Sequence, residues 1–277
     1  MVDVSALALV DDWPVDNVAV GVIGADGEEH TRGDTGREYR WASVTKLLAA
    51  NAVLVAVQEE ALGLDDPAGP PGSTVRHLLA HASGLPMLAG APIAPPGRRR
   101  IYSNVGFDRL GELVTERAGI PAADYVQEAV LEPLGLSGTK VTGSIASSAR
   151  GPLLDLLTFA SEWLQPKVGV LGPALMAAAT SVAFPDLPGV LPGFGRQRPN
   201  DWGLGFEIRG HKSPHWTGAR NAPETYGHFG RSGTFMWIDP VAGVACACLT
   251  DREFGPWAAE LWPVFADALL GAIPCVP

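Results

Sequence analysis

The sequence predicts an α+β fold in which strands from both chain ends build one sheet and the middle of the chain supplies helices. Three observations carry this. Apolar, β-branched runs occur near the start, similar runs return after residue 200, and the stretch between them carries apolar residues at three- and four-residue spacing. Strands gathered at the ends with helices between them pack as a sheet layer against helical layers. The chain reads as a single domain over 1–277, with an α/β part at about 1–62 and 200–277 and an inserted helical part at about 63–199.

The elements follow in order. Residues 18–23 form a strand that enters a hairpin at Ala25-Asp26-Gly27. Residues 42–62 contain neither proline nor glycine and are apolar nearly all round, which predicts a helix buried on most sides and closed by Gly63. Further helices are predicted over 74–82, 105–118, 123–131 and 153–164. From 183 to 200 proline and glycine recur every few residues, which predicts a surface loop bordering a cleft. Strands are then predicted over 202–208, 226–230, 234–238 and 243–249, with Asp239-Pro240 turning the chain between the last two. A final helix spans 257–270, and Pro263 inside it predicts a kink or two shorter pieces.

Composition excludes several function classes. With 47% apolar residues the chain can bury a full core. Its 20 basic and 30 acidic side chains give a net charge of −10, which repels nucleic acid and anionic membranes, and the run Arg98-Arg99-Arg100 is too short to reverse that. No apolar run approaches the roughly 20 residues of a membrane span. The start lacks the positive region of a secretory signal, so the expected location is cytoplasmic. Cys246 and Cys248 lie two apart on a strand and share a face, which predicts buried thiols, and Cys275 is the third cysteine. No Cys-x-x-Cys pair is present, and no metal or cofactor is expected.

The chemistry concentrates at Ser43-Val44-Thr45-Lys46, which opens the buried helix. Residues three apart on a helix face the same way, with Cβ atoms roughly 5–6 Å apart, so the amine can take the hydroxyl proton if burial lowers its pKa. The helix start also favours an oxyanion. A second copy, Ser137-Gly138-Thr139-Lys140, follows Pro133-Leu134-Gly135 with no long helix behind it and reads as a loop coincidence. Tyr102-Ser103-Asn104 precedes a predicted helix, either as a cap with an adjacent aromatic or as part of the site. His77 and His81 have metal-ligand spacing, but no glutamate follows the first, so they read as structural. His30, His211 and His215 have no evident partner. Trp202, Trp237 and Trp262 read as core or cleft-wall aromatics, and Trp41 is a candidate for the acyl pocket.

The order Ser43-x-x-Lys46, Tyr102-x-Asn104, then His228-Phe229-Gly230 on a late strand resembles the serine β-lactamase and penicillin-binding protein superfamily, in its class C-like branch of β-lactamases, esterases and D-amino-acid peptidases. Flanking segments extend the resemblance over most of the chain: Thr74 through Leu85, Leu131-Glu132-Pro133-Leu134-Gly135-Leu136, and Trp202-Gly203-Leu204-Gly205-Phe206. The resemblance implies a β-lactamase/transpeptidase-like fold with an antiparallel sheet flanked by helices. It implies that Ser43 is acylated, that Lys46 activates it, and that Tyr102 shuttles protons with its pKa lowered by Lys46. It further implies that Asn104 hydrogen-bonds the substrate and that the backbone N–H groups of Ser43 and Arg231 form the oxyanion hole.

The departure lies in the third motif. β-Lactamases carry Lys-Thr-Gly there; His228 supplies no permanent cation and Phe229 no hydroxyl. The expected activity is therefore that of a serine hydrolase acting through an acyl-enzyme on a small ester or amide, ahead of antibiotic hydrolysis. The alternative is a catalytically inactive protein of this fold that binds a ligand or partner in the retained cleft.

Overall fold

The computed structural model describes residues 3–271, so Cys275 lies outside the described residues. Two N-terminal strands, β1 (Val18–Gly24) and β2 (Glu29–Gly33), join four from the other end, β3 (Glu207–Ile208), β4 (Tyr226–Gly230), β5 (Thr234–Asp239) and β6 (Val244–Thr250). They make one six-stranded antiparallel sheet in the order β2-β1-β6-β5-β4-β3. The register sets Val18 opposite Thr250 and Thr234 opposite Gly230. The sheet is thus assembled from both chain ends, as the pattern of strand signals predicts.

Period-two alternation splits the sheet between two cores. Met236, Ile238, Ala245, Ala247 and Leu249 face one, which also takes in helices α1 (Thr45–Gln58), α2 (Val75–Leu79), α3 (Asn104–Ala118), α4 (Ala122–Val126) and α5 (Leu153–Leu164). Phe235, Trp237, Val244, Cys246 and Cys248 face the other, beneath the N-terminal 3-10 helix Val4–Asp12 and the last helix. Burial pushes both thiols far above their ordinary pKa, so they are unreactive apolar side chains. Among the described residues no helix is long and apolar enough to cross a membrane.

Several boundaries differ from the sequence reading. The helix expected over 42–62 begins as a 3-10 turn, Ala42–Val44, becomes α1 at Thr45 and ends at Gln58. The reversal comes at Glu60, in the left-handed region at φ 60°, while the Gly63 N–H is taken by the Asp66 carboxylate at 2.9 Å. α2 stops at Leu79 because His81 turns left-handed at φ 54°. The helix expected over 123–131 is α4 followed by a wider π turn, Gln127–Leu131. Helix α6 (Pro173–Thr180) was hidden by its short length and neighbouring glycines; Pro173 opens it, where a missing N–H is harmless. The 183–200 segment contains a two-stranded ribbon, Gly189–Leu191 with Gly195–Gln197. Only Glu207–Ile208 of the expected 202–208 strand pairs in the sheet, since Trp202 folds back to bridge Glu207. The last helix, α7 (Pro256–Leu269), continues through Pro263 as one element.

α1 forms the central post. It is buried from Thr45 to Ala56 and carries Lys46 in its first turn. The tight turn at Gly205, with φ 91°, abuts it: a Cβ there would fall 2.2 Å from the Ala50 Cβ. Gly205→Ala should therefore destabilise the protein by about 2–4 kcal/mol, combining backbone strain with overpacking. Chemical denaturation checks this, and a change below about 0.5 kcal/mol would mean the turn moves freely.

Candidate active site

Ser43 sits in the 3-10 turn ahead of α1, and the surrounding sequence pins that turn from three sides. Trp41 donates from its backbone to Ala149 O at 2.9 Å and from its indole to Gly151 O at 3.1 Å. Thr45 Oγ1 donates to Ala42 O at 2.5 Å and accepts from Ala149 N at 3.0 Å. Thr234 Oγ1 on β5 donates to Trp41 O at 3.0 Å. Ala42, the residue before Ser43, holds a left-handed φ of 45°, a strained conformation for alanine that these bonds enforce. Trp41 itself is fully buried and is not among the residues that line the cavity beside Ser43.

Tyr102 arrives from the extended segment before α3. Ser103 caps that helix, accepting from Gly106 N at 2.9 Å and donating to Pro86 O at 2.6 Å. The cap reading and the site reading thus describe neighbouring atoms of one motif. The Ser103 N–H donates to His81 Nδ1 at 3.1 Å, and the His81 ring lies 4.7 Å from that of Tyr102. With its backbone fixed this way, Tyr102 donates its hydroxyl to Ser43 Oγ at 2.7 Å.

Lys46 is completely buried. Its Nζ donates to Asn104 Oδ1 at 2.6 Å and to Ala146 O at 2.8 Å, and it lies 4.8 Å from the centre of the Tyr102 ring. No hydrogen bond joins it to Ser43, which differs from the direct amine–hydroxyl contact that the three-residue spacing suggested. The physical reason is that a dehydrated amine takes the strongest acceptors in reach, here two carbonyl-type oxygens. Burial, only partly offset by the charge of Asp108, lowers its pKa to about 7. A neutral amine has two N–H donors, and both are used by these two oxygens; the nitrogen lone pair is left open.

The expectation that Lys46 lowers the Tyr102 pKa is overturned. Burial dominates and raises it well above the ordinary phenol value, against a smaller opposing effect of the Ser43 contact, and Lys46 is not among the causes. Tyr102 is therefore a protonated donor in the free protein. Asn104, expected to bind substrate, spends its carbonyl oxygen on Lys46, while its amide nitrogen makes no hydrogen bond among the described residues.

Strand β4 forms the opposite wall. Gly230 lets it approach the Ser43 turn, since a Cβ there would lie 2.5 Å from Trp41 O and 3.2 Å from the Ala42 Cβ. His228 donates from Nδ1 to Phe229 O at 2.6 Å, a geometry that makes Nε2 the lone-pair nitrogen; buried Nε2 has no partner among the described residues. Burial, reinforced by the charge of Lys46, pushes the His228 pKa down to about 3, so the ring is neutral across the physiological range. Phe229 packs on Phe254 at 4.9 Å. The Arg231 side chain is exposed and pairs with Glu253 at 3.4 Å, but its backbone N–H, like that of Ser43, has no acceptor among the described residues.

Ser43, Tyr102, His228, Phe229 and Arg231 line one cavity of about 160 Å³. The remaining walls come from Met87, Leu191, Pro192, Gly193, Trp202, Glu207 and Phe254, so the 183–200 segment does border the cleft. Glu207 was missed in the sequence because nothing local marks its partners, five to nine residues on, as buried with it. Its buried carboxylate accepts from Lys212 and His215 and, at 2.9 Å, from Trp216 Nε1, which gives His215 its partner. His77 and His81 turn to different partners, His77 to Thr74 Oγ1 at 2.9 Å. Exposed Lys140, in the second Ser-x-x-Lys copy, pairs with Glu38 at 2.9 Å.

Comparison with known proteins places the chain in a family and a fold. A beta-lactamase from Mycobacterium bovis, known from its crystal structure, is 52% identical and superposes with a TM-score of 0.94, covering 96% of this chain and 98% of that one. EstCE1, described as a hydrolase with promiscuous acyltransferase activity, shares the fold at 18% identity, with a TM-score of 0.79 over 96% of this chain and 99% of its own. A Salmonella heidelberg (strain SL476) protein named "Putative D-alanyl-D-alanine carboxypeptidase" is 28% identical over 68% of this chain and 54% of its own length. The chain thus spans about half the length of the curated relatives it matches. Residues 2–270 match the family described as Beta-lactamase, and the chain belongs to that family.

Proposed function

We propose that this chain is a serine hydrolase that forms an acyl-enzyme at Ser43 on small esters or amides with an apolar group at the scissile carbonyl. The observation that carries the reading is the buried Lys46, with a pKa of about 7 and two acceptors that leave its lone pair open beside the Ser43–Tyr102 pair. As substrate binds, Lys46 closes on Ser43 and takes its proton while Oγ bonds to the carbonyl carbon. The oxyanion is held by the unengaged N–H groups of Ser43 and Arg231. When the tetrahedral intermediate collapses, the bond to the leaving group breaks and Tyr102 protonates the departing atom; Lys46 then returns its proton to Tyr102. Water discharges the ester by the reverse sequence.

The wall composition supports the substrate class. The cavity is smaller than the roughly 300–1,000 Å³ of sites for drug-sized ligands, which suits a short acyl group. His228 contributes a neutral lone pair rather than a cation, so a β-lactam carboxylate finds no charge partner in the third motif. The Mycobacterium bovis relative, described as a beta-lactamase, makes cephalosporin turnover the necessary control.

A fluorophosphonate should add mass to the wild type and none to Ser43→Ala; absence of labelling in both would favour the ligand-binding alternative. Short-chain aryl esters should be turned over faster than a chromogenic cephalosporin, and the opposite order would overturn the substrate class. Lys46→Ala should lower kcat/KM for an aryl ester by about 10²–10⁴. Lys46 also leaves a stability signature. Its pKa falls from 10.5 to about 7 on folding, so the unfolded chain binds the extra proton between those values and stability rises with pH through that window. The stability of Lys46→Met relative to wild type should accordingly be greatest below pH 7 and shrink toward pH 10. Parallel denaturation curves at pH 6 and 9 test this, and a pH-independent difference would contradict it.

A further inference from the structure

A second groove, of about 530 Å³, adjoins the Ser43 cavity and shares Met87, Tyr102 and Pro192 with it. Its walls include Arg99, Arg196 and Arg198, all exposed, and no aspartate or glutamate. Among the described residues none of the three forms an ion pair, and the groove wall brings no carboxylate to them. In a chain of net charge −10, three unpaired guanidiniums around one groove with no acidic neighbour are a local reversal of sign.

The framework beneath them is built, not loose. Arg196 and Arg198 stand two apart at the end of the 195–197 strand, while Gln197 between them is buried and donates to Phe194 O and Pro214 O, both at 3.2 Å. Arg99 precedes Arg100, whose buried guanidinium donates to Ala80 O at 2.8 Å, Asn200 O at 3.1 Å and Phe184 O at 2.8 Å, and also to Ala183 O. The Arg100 backbone donates to Pro188 O at 2.9 Å and bridges Gly189, which clamps the Arg99 segment beside the ribbon. Arg100 thus holds the groove together; Arg99 spends one N–H on Ile93 O at 3.3 Å, and among the described residues the Arg196 and Arg198 guanidiniums make no hydrogen bond or ion pair, which leaves them to meet a ligand.

We propose that this groove is a subsite for an anionic arm of the substrate, a carboxylate or phosphate separated by a spacer from the carbonyl that Ser43 attacks. Guanidinium forks match such oxyanions, the third motif offers no cation, and the Arg231 guanidinium at the Ser43 cavity is paired with Glu253. The inference rests on the hydrolase reading for the placement of the carbonyl, but the charge preference can be read without turnover.

The test compares aryl hemiesters of adipic and suberic acid with their methyl-capped neutral counterparts, and butyrylated 4-hydroxybenzoate with its methyl ester. In at least one pair kcat/KM should favour the anion about fivefold, through KM, and the ratio should fall as salt is added. In Arg196→Ala/Arg198→Ala that ratio should drop to about one, whereas Arg196→Lys/Arg198→Lys should retain most of it. Titration calorimetry of the same compounds with Ser43→Ala reads the preference as affinity alone. Neutral esters that are turned over with no anionic preference in any pair would remove the subsite and leave the hydrolase standing. Absence of turnover with a retained, arginine-dependent affinity ratio would do the reverse. A ratio unchanged by Arg196→Ala/Arg198→Ala would overturn the subsite in either case.

Discussion

A lysine amine removed from water and given two oxygen acceptors but no carboxylate is the constraint on which the site depends. A buried lysine is costly in its charged form, and proteins usually answer with an ion pair. Lys212 shows that answer in this same molecule: it meets the buried carboxylate of Glu207. Lys46 receives Asn104 Oδ1 and Ala146 O instead, with Asp108 only as a weaker, opposing charge. Both lysines are buried and burial lowers the pKa of both, but only Lys212 has a carboxylate in contact to oppose that shift.

The rest of the fold fixes geometry around that amine. α1 holds Lys46, the capped start of α3 holds both Tyr102 and Asn104, and β4 closes on the Ser43 turn through Gly230. These three elements come from separate parts of the chain and meet only because the sheet joins its two ends. His81 belongs to the same arrangement. It accepts from the Ser103 N–H and lies against Tyr102, so the left-handed turn that ends α2 orients the phenol on Ser43.

Much of this was legible in the sequence where the signal is local. The alternation in 243–249 placed Cys246 and Cys248 on one buried face, and the all-round apolar run after Ser43 marked the central helix. Ser43, Tyr102 and His228 were named from short motifs, and the fold brings them to one cavity. What stayed hidden depends on long-range partners. The direction taken by the Lys46 amine is set by a carbonyl 100 residues away, and the raised Tyr102 pKa by burial that no motif encodes. Glu207 and His215 are eight residues apart, yet nothing local marks them as a buried pair. Arg196 and Arg198 lie in the proline- and glycine-rich 183–200 segment, and the ribbon there sets them around one groove with Arg99.

The most direct measurement is an NMR titration of the Lys46 side chain, selectively labelled at Cε or Nζ, in the folded protein. The account predicts a midpoint near pH 7, several units below the ordinary lysine value of 10.5, with the amine mostly neutral at pH 8. A midpoint above pH 10 would contradict it, because the amine would then be a permanent cation with no lone pair to offer Ser43.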